Sequence, residues 1–288
     1  MAAHPSSITG VTADSDIAEI RPYIDGIAAL YAGGANVIMQ LGWPEVGRGV
    51  FESKVESGRT DLHPIKRART TFTYLSVALL GSDDERAAYR REVNRQHAQV
   101  RSAGGSEESP VAYNAMNPEL QLWVAACLYW GTEDIVQRLH GPLDEATLDL
   151  LYRHGSRLGT TLQVREDMWP ADRAAFEVYW AEGLRRVSYD ADVRRYLLKV
   201  VLGVNAFPWP LRVTFARFIR FMNIGSLPPY FREALDVPWT AADQRRHDRV
   251  FRLTRLVSRV VPSILRRQPF GLLLLDLRLR RRFKRQLV

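Results

Sequence analysis

The stretch from Tyr89 to Arg101 carries one imidazole, His97, on the helical face that also presents Tyr89, Val93 and Val100. Spacings of four, four and three residues bring these side chains to one side of a helix. Arg90, Arg91, Glu92 and Arg95 lie mostly on other faces. An imidazole turned inward loses water and needs a partner for each ring nitrogen: a carboxylate, a backbone carbonyl or a metal. Spacing alone favours a hydrogen-bonded core histidine over a ligand.

A second group sits upstream. Arg67, Thr70 and Thr71 lie three and four residues apart, and Tyr74 and Ala78 continue their face. Burying a guanidinium is costly unless an anion or several acceptors meet it. Arg67 therefore either binds an anion or ties neighbouring loops through their carbonyls, and spacing leaves both open. His63, just before Pro64, reads as a capping or surface residue. Cys127 in its apolar run would be an unfavourable thiolate ligand. The pairs Asp144/Glu145 and Asp190/Asp192 stand at helix starts, where acids are expected anyway. No His-Glu-x-x-His, Gly-x-Gly-x-x-Gly or Walker pattern occurs.

The elements that must position these groups read as helices. A helix beginning near Asp14 or Asp16 is expected first, then an apolar one through the small residues Ala32 to Ala35, stopped by Pro44. Pro64 opens the Arg67 helix and Gly81 closes it. The His97 helix starts at Ser82 or Asp83, and Asn117-Pro118-Glu119 opens the helix of Trp123 and Cys127. Further helices are expected over 145–158, 172–186, 190–203, 210–223, 241–260 and 271–286, with a joint at Asn205 to Pro210. Alternating strand patterns are scarce. The expectation is an all-α protein: a loose segment over residues 1–20, then one large helical domain over 21–288.

The 288 residues are 46% hydrophobic, ample for one large core. No apolar run reaches the length of a membrane span, and no secretory signal pattern opens the chain. One cysteine excludes an internal disulfide, covalent haem attachment through paired cysteines and a cysteine-rich zinc site. These features set a cytoplasmic expectation. The net charge of +8 is local: residues 245–288 carry +12 and the rest −4. Without readable aromatic or helix-turn-helix features, this basicity does not predict nucleic-acid binding. In the last helix Leu272, Leu275, Leu279 and Phe283 form one stripe, flanked by Arg278, Arg281, Arg282 and Arg285. The commoner outcome is a helix docking that stripe on the core. The alternative is weak peripheral attachment to an anionic membrane.

The segment from Ala32 to Val50 resembles the opening signature of the latex-clearing protein / MpaB-type oxygenase family. Arg67-x-x-x-Thr71, His97-x-x-Val100, Tyr113 to Pro118 with Trp123-Val124, and Leu227 to Arg232 recur in that order, across roughly residues 25–275. The resemblance implies a globin-like helical core binding haem b, with His97 as proximal iron ligand and Arg67 and Thr71 as polar residues beside the haem. It also implies that Arg101 and Tyr74 contribute to cofactor binding and that Arg67, Thr70 and Thr71 serve catalysis. Thr70 stands where latex-clearing proteins carry a lysine able to cap the distal iron, Asn94 replaces an arginine, and Glu52 replaces a frequent histidine. The function so implied is a haem-dependent oxygenase acting, with dioxygen, on an alkene, terpenoid, lipid or aromatic, and the alternative is a non-catalytic haem or lipid carrier. Neutral imidazole is a natural axial ligand, and arginine suits a buried propionate.

Overall fold

The computed structural model describes residues 17–55, 63–202 and 209–287, and within them the chain is all-α apart from one tiny hairpin. Of the segment over 1–20 expected to be loose, residues 1–16 lie outside the described residues, while 17–20 are helical with Ile17 and Ile20 buried. Of the joint expected at Asn205 to Pro210, residues 205–208 lie outside the described residues, and Trp209 and Pro210 already belong to a helix.

Helix α1 (Gly26–Gln40) runs through its paired glycines, and α2 (Pro44–Phe51) begins with Pro44 in its first turn. The site pair is α3 (Pro64–Leu80) and α4 (Asp83–His97). Ser82 and Glu85 close a reciprocal capping box at the start of α4, which fixes where that helix begins. The helix stops at His97, so Val100 reaches the same region from the following turn rather than from the helix. Strands β1 (Arg101–Ser102) and β2 (Tyr113–Asn114) then pair antiparallel. Two residues per strand are too few to show the alternation by which a strand is read from sequence.

Asn117 accepts from the Glu119 amide at 2.8 Å and caps α5 (Pro118–His140). The short chain of α6 (Glu145–Gly155), α7 (Arg157–Thr160), α8 (Arg173–Arg185) and α9 (Ala191–Tyr196) follows, α9 passing into a π-helical turn over Leu197–Val201. Asp144 and Asp190 each cap a helix start, and Asp190 also pairs with Arg48 at 2.7 Å, so neither works as an acid–base group. The remaining helices are α10 (Trp209–Ser226), α11 (Pro229–Ala234), α12 (Ala241–Val260), α13 (Ser263–Arg266) and α14 (Phe270–Arg282).

Helix α1 is the hub, packed against α5 on one side and α10 on another, while α14 lies along α3. Glycine permits the closest of these approaches: a Cβ on Gly34 would stand 2.7 Å from Asn223 Oδ1, and one on Gly131 2.4 Å from Asn36 Nδ2. A stack of indoles locks α5 in place. Trp123 lies between Trp43 (4.8 Å) and Trp180 (5.2 Å), with Trp130 beyond Trp180 (5.7 Å). The Trp123 indole N–H donates to Gln40 O at 3.1 Å, and Trp43 donates to Gly183 O at 2.9 Å, so both of these buried donors are satisfied.

Helix α14 docks on the core, but through Phe270, Leu274 and Leu277. The stripe expected to dock, Leu272, Leu275, Leu279 and Phe283, faces outward. Two tertiary ion pairs set that rotation: Asp276 with Arg69 (3.3 Å) and Arg278 with buried Glu85 (2.6 Å). Arg278 therefore belongs to the docked face and not to a free basic flank.

His247, fully buried between α10 and α12, shares a 3.3 Å contact with Ser226 Oγ. Burial, with Arg138 adding to it, pushes the imidazole down to about 4. A pKa below the unfolded value of about 6.5 gives a contribution present above that pH and lost as pH falls through about 4. Melting followed by circular dichroism should show this acid loss, by no more than about 3 kcal/mol from His247, and His247→Gln should reduce the slope to what the other buried imidazoles contribute. An unchanged acid slope in the variant would contradict the assignment.

Candidate functional site

Helices α1, α3, α4 and α5 leave a cavity of about 500 Å³ between them, closed further by α2, β2, α9 and α10. That size falls within the usual range of small-molecule and cofactor sites, roughly 300–1,000 Å³. From α3 it receives Arg67, Thr70, Thr71 and Tyr74, and from α4 it receives Tyr89, Val93 and His97, with Val100 behind them. The two groups singled out by spacing therefore share one chamber.

His97 keeps some accessible surface because its ring opens into this chamber. Its Nδ1 is sealed and has no hydrogen-bond partner. Burial, and then the Arg67 charge, push the imidazole down to about 4, so it is neutral at physiological pH. That is the protonation state in which imidazole can donate a lone pair.

The Arg67 guanidinium is held below its ordinary value by burial. Its electrostatic neighbours are Tyr196, Tyr89 and His97, and none of these is a carboxylate. Its backbone N–H donates to His63 O at 2.9 Å, but no carboxylate or carbonyl among the described residues pairs with its side chain. An enclosed cation without a counter-ion, facing a cavity, is a site prepared for an anionic group.

The two threonines spend their hydroxyl protons on their own helix: Thr70 donates to Lys66 O (2.9 Å) and Thr71 to Arg67 O (3.0 Å). Each keeps lone pairs toward the chamber but offers no free donor. Tyr74 donates to Leu158 O and Tyr89 donates to Thr70 O at 2.9 Å, which ties α3 to α7 and to α4. Burial raises both phenols above their ordinary range, so both stay protonated.

Other candidates fall away. Arg101 is exposed on β1 opposite Asn114 and is absent from the cavity wall, because the chain has left α4 for the hairpin before reaching it. His63 stands at the N-cap of α3, off the wall. Cys127 is fully buried behind Val124 and Leu128, and burial raises its thiol well above the usual value. His154 contacts Leu79 O at 2.7 Å, a structural role.

Sequence reasoning missed the second half of the chamber. Gln121, Val124, Leu128, Gly131 and Ile135 of α5 all line it, at alternating spacings of three and four. From sequence, Trp123 of the same helix is expected in the pocket beside Tyr74 and Leu75, but it points away into the indole stack and is absent from the cavity wall. Tyr196, at the end of α9, and Val200, in the π-helical segment that follows, reach it as well; such bulges are frequent at functional sites. Tyr113 also lines it and donates to Glu52 at 2.9 Å; its phenol is pushed up to about 12 by burial and by Glu52.

Among the described residues no group of three or more His, Cys, Asp or Glu could hold a bare metal ion. A lone imidazole suits a metal whose other ligands come from a macrocycle.

The family described as "ER-bound oxygenase mpaB/B'/Rubber oxygenase, catalytic domain" matches residues 20–258. Uncharacterised proteins of Mycobacterium tuberculosis and Mycobacterium bovis are each 48% identical over 254 residues, covering 88% of this chain and 98% of the relative. No solved structure matches the chain.

Proposed function

The chain belongs to the MpaB/rubber-oxygenase catalytic-domain family, an oxygenase family, and from that premise we propose that it is a haem b-dependent oxygenase acting on a hydrophobic small molecule. One observation carries the reading: a neutral imidazole whose Nδ1 has no hydrogen-bond partner and a buried guanidinium with no partner among the described residues face the same large cavity. The residues fit the group. His97 would ligate the iron through Nε2, the ring nitrogen that is not sealed in the wall. Arg67 would take a propionate through its planar fork. When bound, haem supplies an iron centre that activates dioxygen for transfer to carbon.

The chain's own residues do the rest. Tyr74, Leu75, Tyr89 and Val93 line the chamber alongside His97 with largely apolar surface, which would exclude water from a bound cofactor. Thr70 would offer the iron no amine, so a small exogenous ligand would meet no competing side-chain nitrogen from this position. Val37, Leu41, Val124 and Leu128 line the remainder, and their apolar surface suits a hydrocarbon-like substrate.

Arg67→Met separates this reading from a structural arginine. Losing a charge-assisted hydrogen bond should weaken hemin binding by roughly tenfold to a hundredfold. Because the guanidinium has no hydrogen-bond or carboxylate partner among the described residues, the melting temperature of the haem-free protein should stay level or rise. Unchanged hemin affinity together with a lower haem-free melting temperature would show instead that Arg67 holds the fold.

A further inference from the structure

We propose that the C-terminal helices form a face that docks on the surface of an anionic bilayer. Helix α12 buries His247 and Phe251 on one side, while Leu253, Leu256, Val257 and Val260 stand out on the other, Val260 at 81% exposure. Ile264 and Leu265 of α13 are exposed as well. Helix α14 turns its whole second stripe, Leu272 to Phe283, to the outside. Scattered surface leucines need no explanation, but a run over three successive helices does.

These helices converge on one corner. Ser258 of α12 donates to Asp25 at 3.3 Å, and a Cβ on Gly26 would collide with the backbone carbonyl of Gln268. The end of α12 and the start of α14 thus both abut the start of α1. One turn along α1 is Leu30, which is 52% exposed and also lines the cavity, so it marks an opening. Phe72, on the cavity wall, packs 5.8 Å from Phe270 at the head of α14.

Charge selects the occupant. From Arg249 to Leu287 the chain carries twelve arginines and lysines and a single acid, Asp276, which is already held by Arg69 and Arg280. Arg249, Arg252 and Arg259 flank the α12 stripe, and Arg281, Arg282 and Arg285 flank that of α14, all exposed. Leucines between arginines match the acyl–headgroup boundary of a negatively charged leaflet. A protein partner of equal apolar area would not call for uniform positive charge. No helix of the described residues is long and apolar enough to cross a membrane, so the contact is peripheral. Lipid-borne substrate would then meet the cavity at Leu30. That delivery role rests on the oxygenase reading, whereas the docking itself does not.

The test is sedimentation of the full chain, without hemin or substrate, with phosphatidylcholine vesicles and with vesicles containing an equal part of phosphatidylglycerol. Binding should require the anionic lipid and fall with salt. The triple variant Arg281→Gln/Arg282→Gln/Arg285→Gln should weaken it by roughly a hundredfold. Leu272→Ser/Leu275→Ser/Leu279→Ser should weaken it too, with circular dichroism unchanged because those side chains are exposed. Equal binding to both vesicles, absence of binding, or binding indifferent to both variants would overturn the proposal. So would sedimentation velocity showing that the serine variant dissociates a dimer, since a second copy would then cover this face. Failure here leaves the hemin measurements unaffected.

Discussion

Replacing His97 with alanine should strip the protein of haem while leaving its helices in place. His97 is the last residue of α4, its side chain faces the cavity, and its Nδ1 makes no hydrogen bond that the fold would lose. Hemin affinity should drop by at least about a hundredfold, since even groups that only support a metal ligand are worth about tenfold to a hundredfold. Far-ultraviolet circular dichroism should be unchanged. Free imidazole, small enough for the vacated space, should restore a coordinated spectrum in the variant. Full hemin stoichiometry with an unaltered spectrum in His97→Ala would sink the ligand assignment. Binding lost together with helical content would point to a structural histidine.

The largest loss of stability should come from Trp123→Ala, at about 4 kcal/mol. Trp123 is fully buried, stacked on both faces, and hydrogen-bonded to Gln40 O. Its removal leaves a void that the neighbouring indoles cannot fill without breaking their own contacts, Trp43 to Gly183 O among them. Because α5 also carries Val124 and Leu128 into the cavity, hemin affinity should fall as well. Urea unfolding measures the first effect. A change below about 1 kcal/mol would mean that the stack relaxes around the void and is not what fixes α5.

Much of this arrangement is legible in the sequence, for identifiable reasons. Ser82 and Asn117 announce the starts of α4 and α5 because a side-chain oxygen just before a helical run has one main use. Arg67 and His97 could be nominated from periodicity, yet periodicity could not bring them together; that depends on how α3 folds back against α4, where Tyr89 meets the Thr70 carbonyl. The ordered resemblance supplied the missing long-range information. Arg101 shows its limit, since a match by position carried no knowledge that the chain enters a hairpin at Arg101, four residues past the last helical residue.

The last helix shows a different limit. Two stripes, Phe270/Leu274/Leu277 and Leu272/Leu275/Leu279/Phe283, satisfy helical spacing equally well. Which one docks is decided by partners far away in sequence: Arg69 for Asp276, and Glu85 for Arg278. Nothing local to α14 contains that choice. The same holds for the cavity. Its existence depends on α1 approaching α5 and α10 through Gly131 and Gly34, contacts that a single stretch of sequence does not show.

Whether the chamber between α3 and α4 holds haem b on His97 is decided by titrating the purified protein with hemin and recording its absorption spectrum. A Soret band should appear and saturate at one hemin per chain. The band should shift on reduction with dithionite and again with carbon monoxide, which should bind without first displacing a side-chain amine. A spectrum that stays that of free hemin would overturn haem binding at this site. A saturable band that appears equally in His97→Ala would overturn His97 as the ligand.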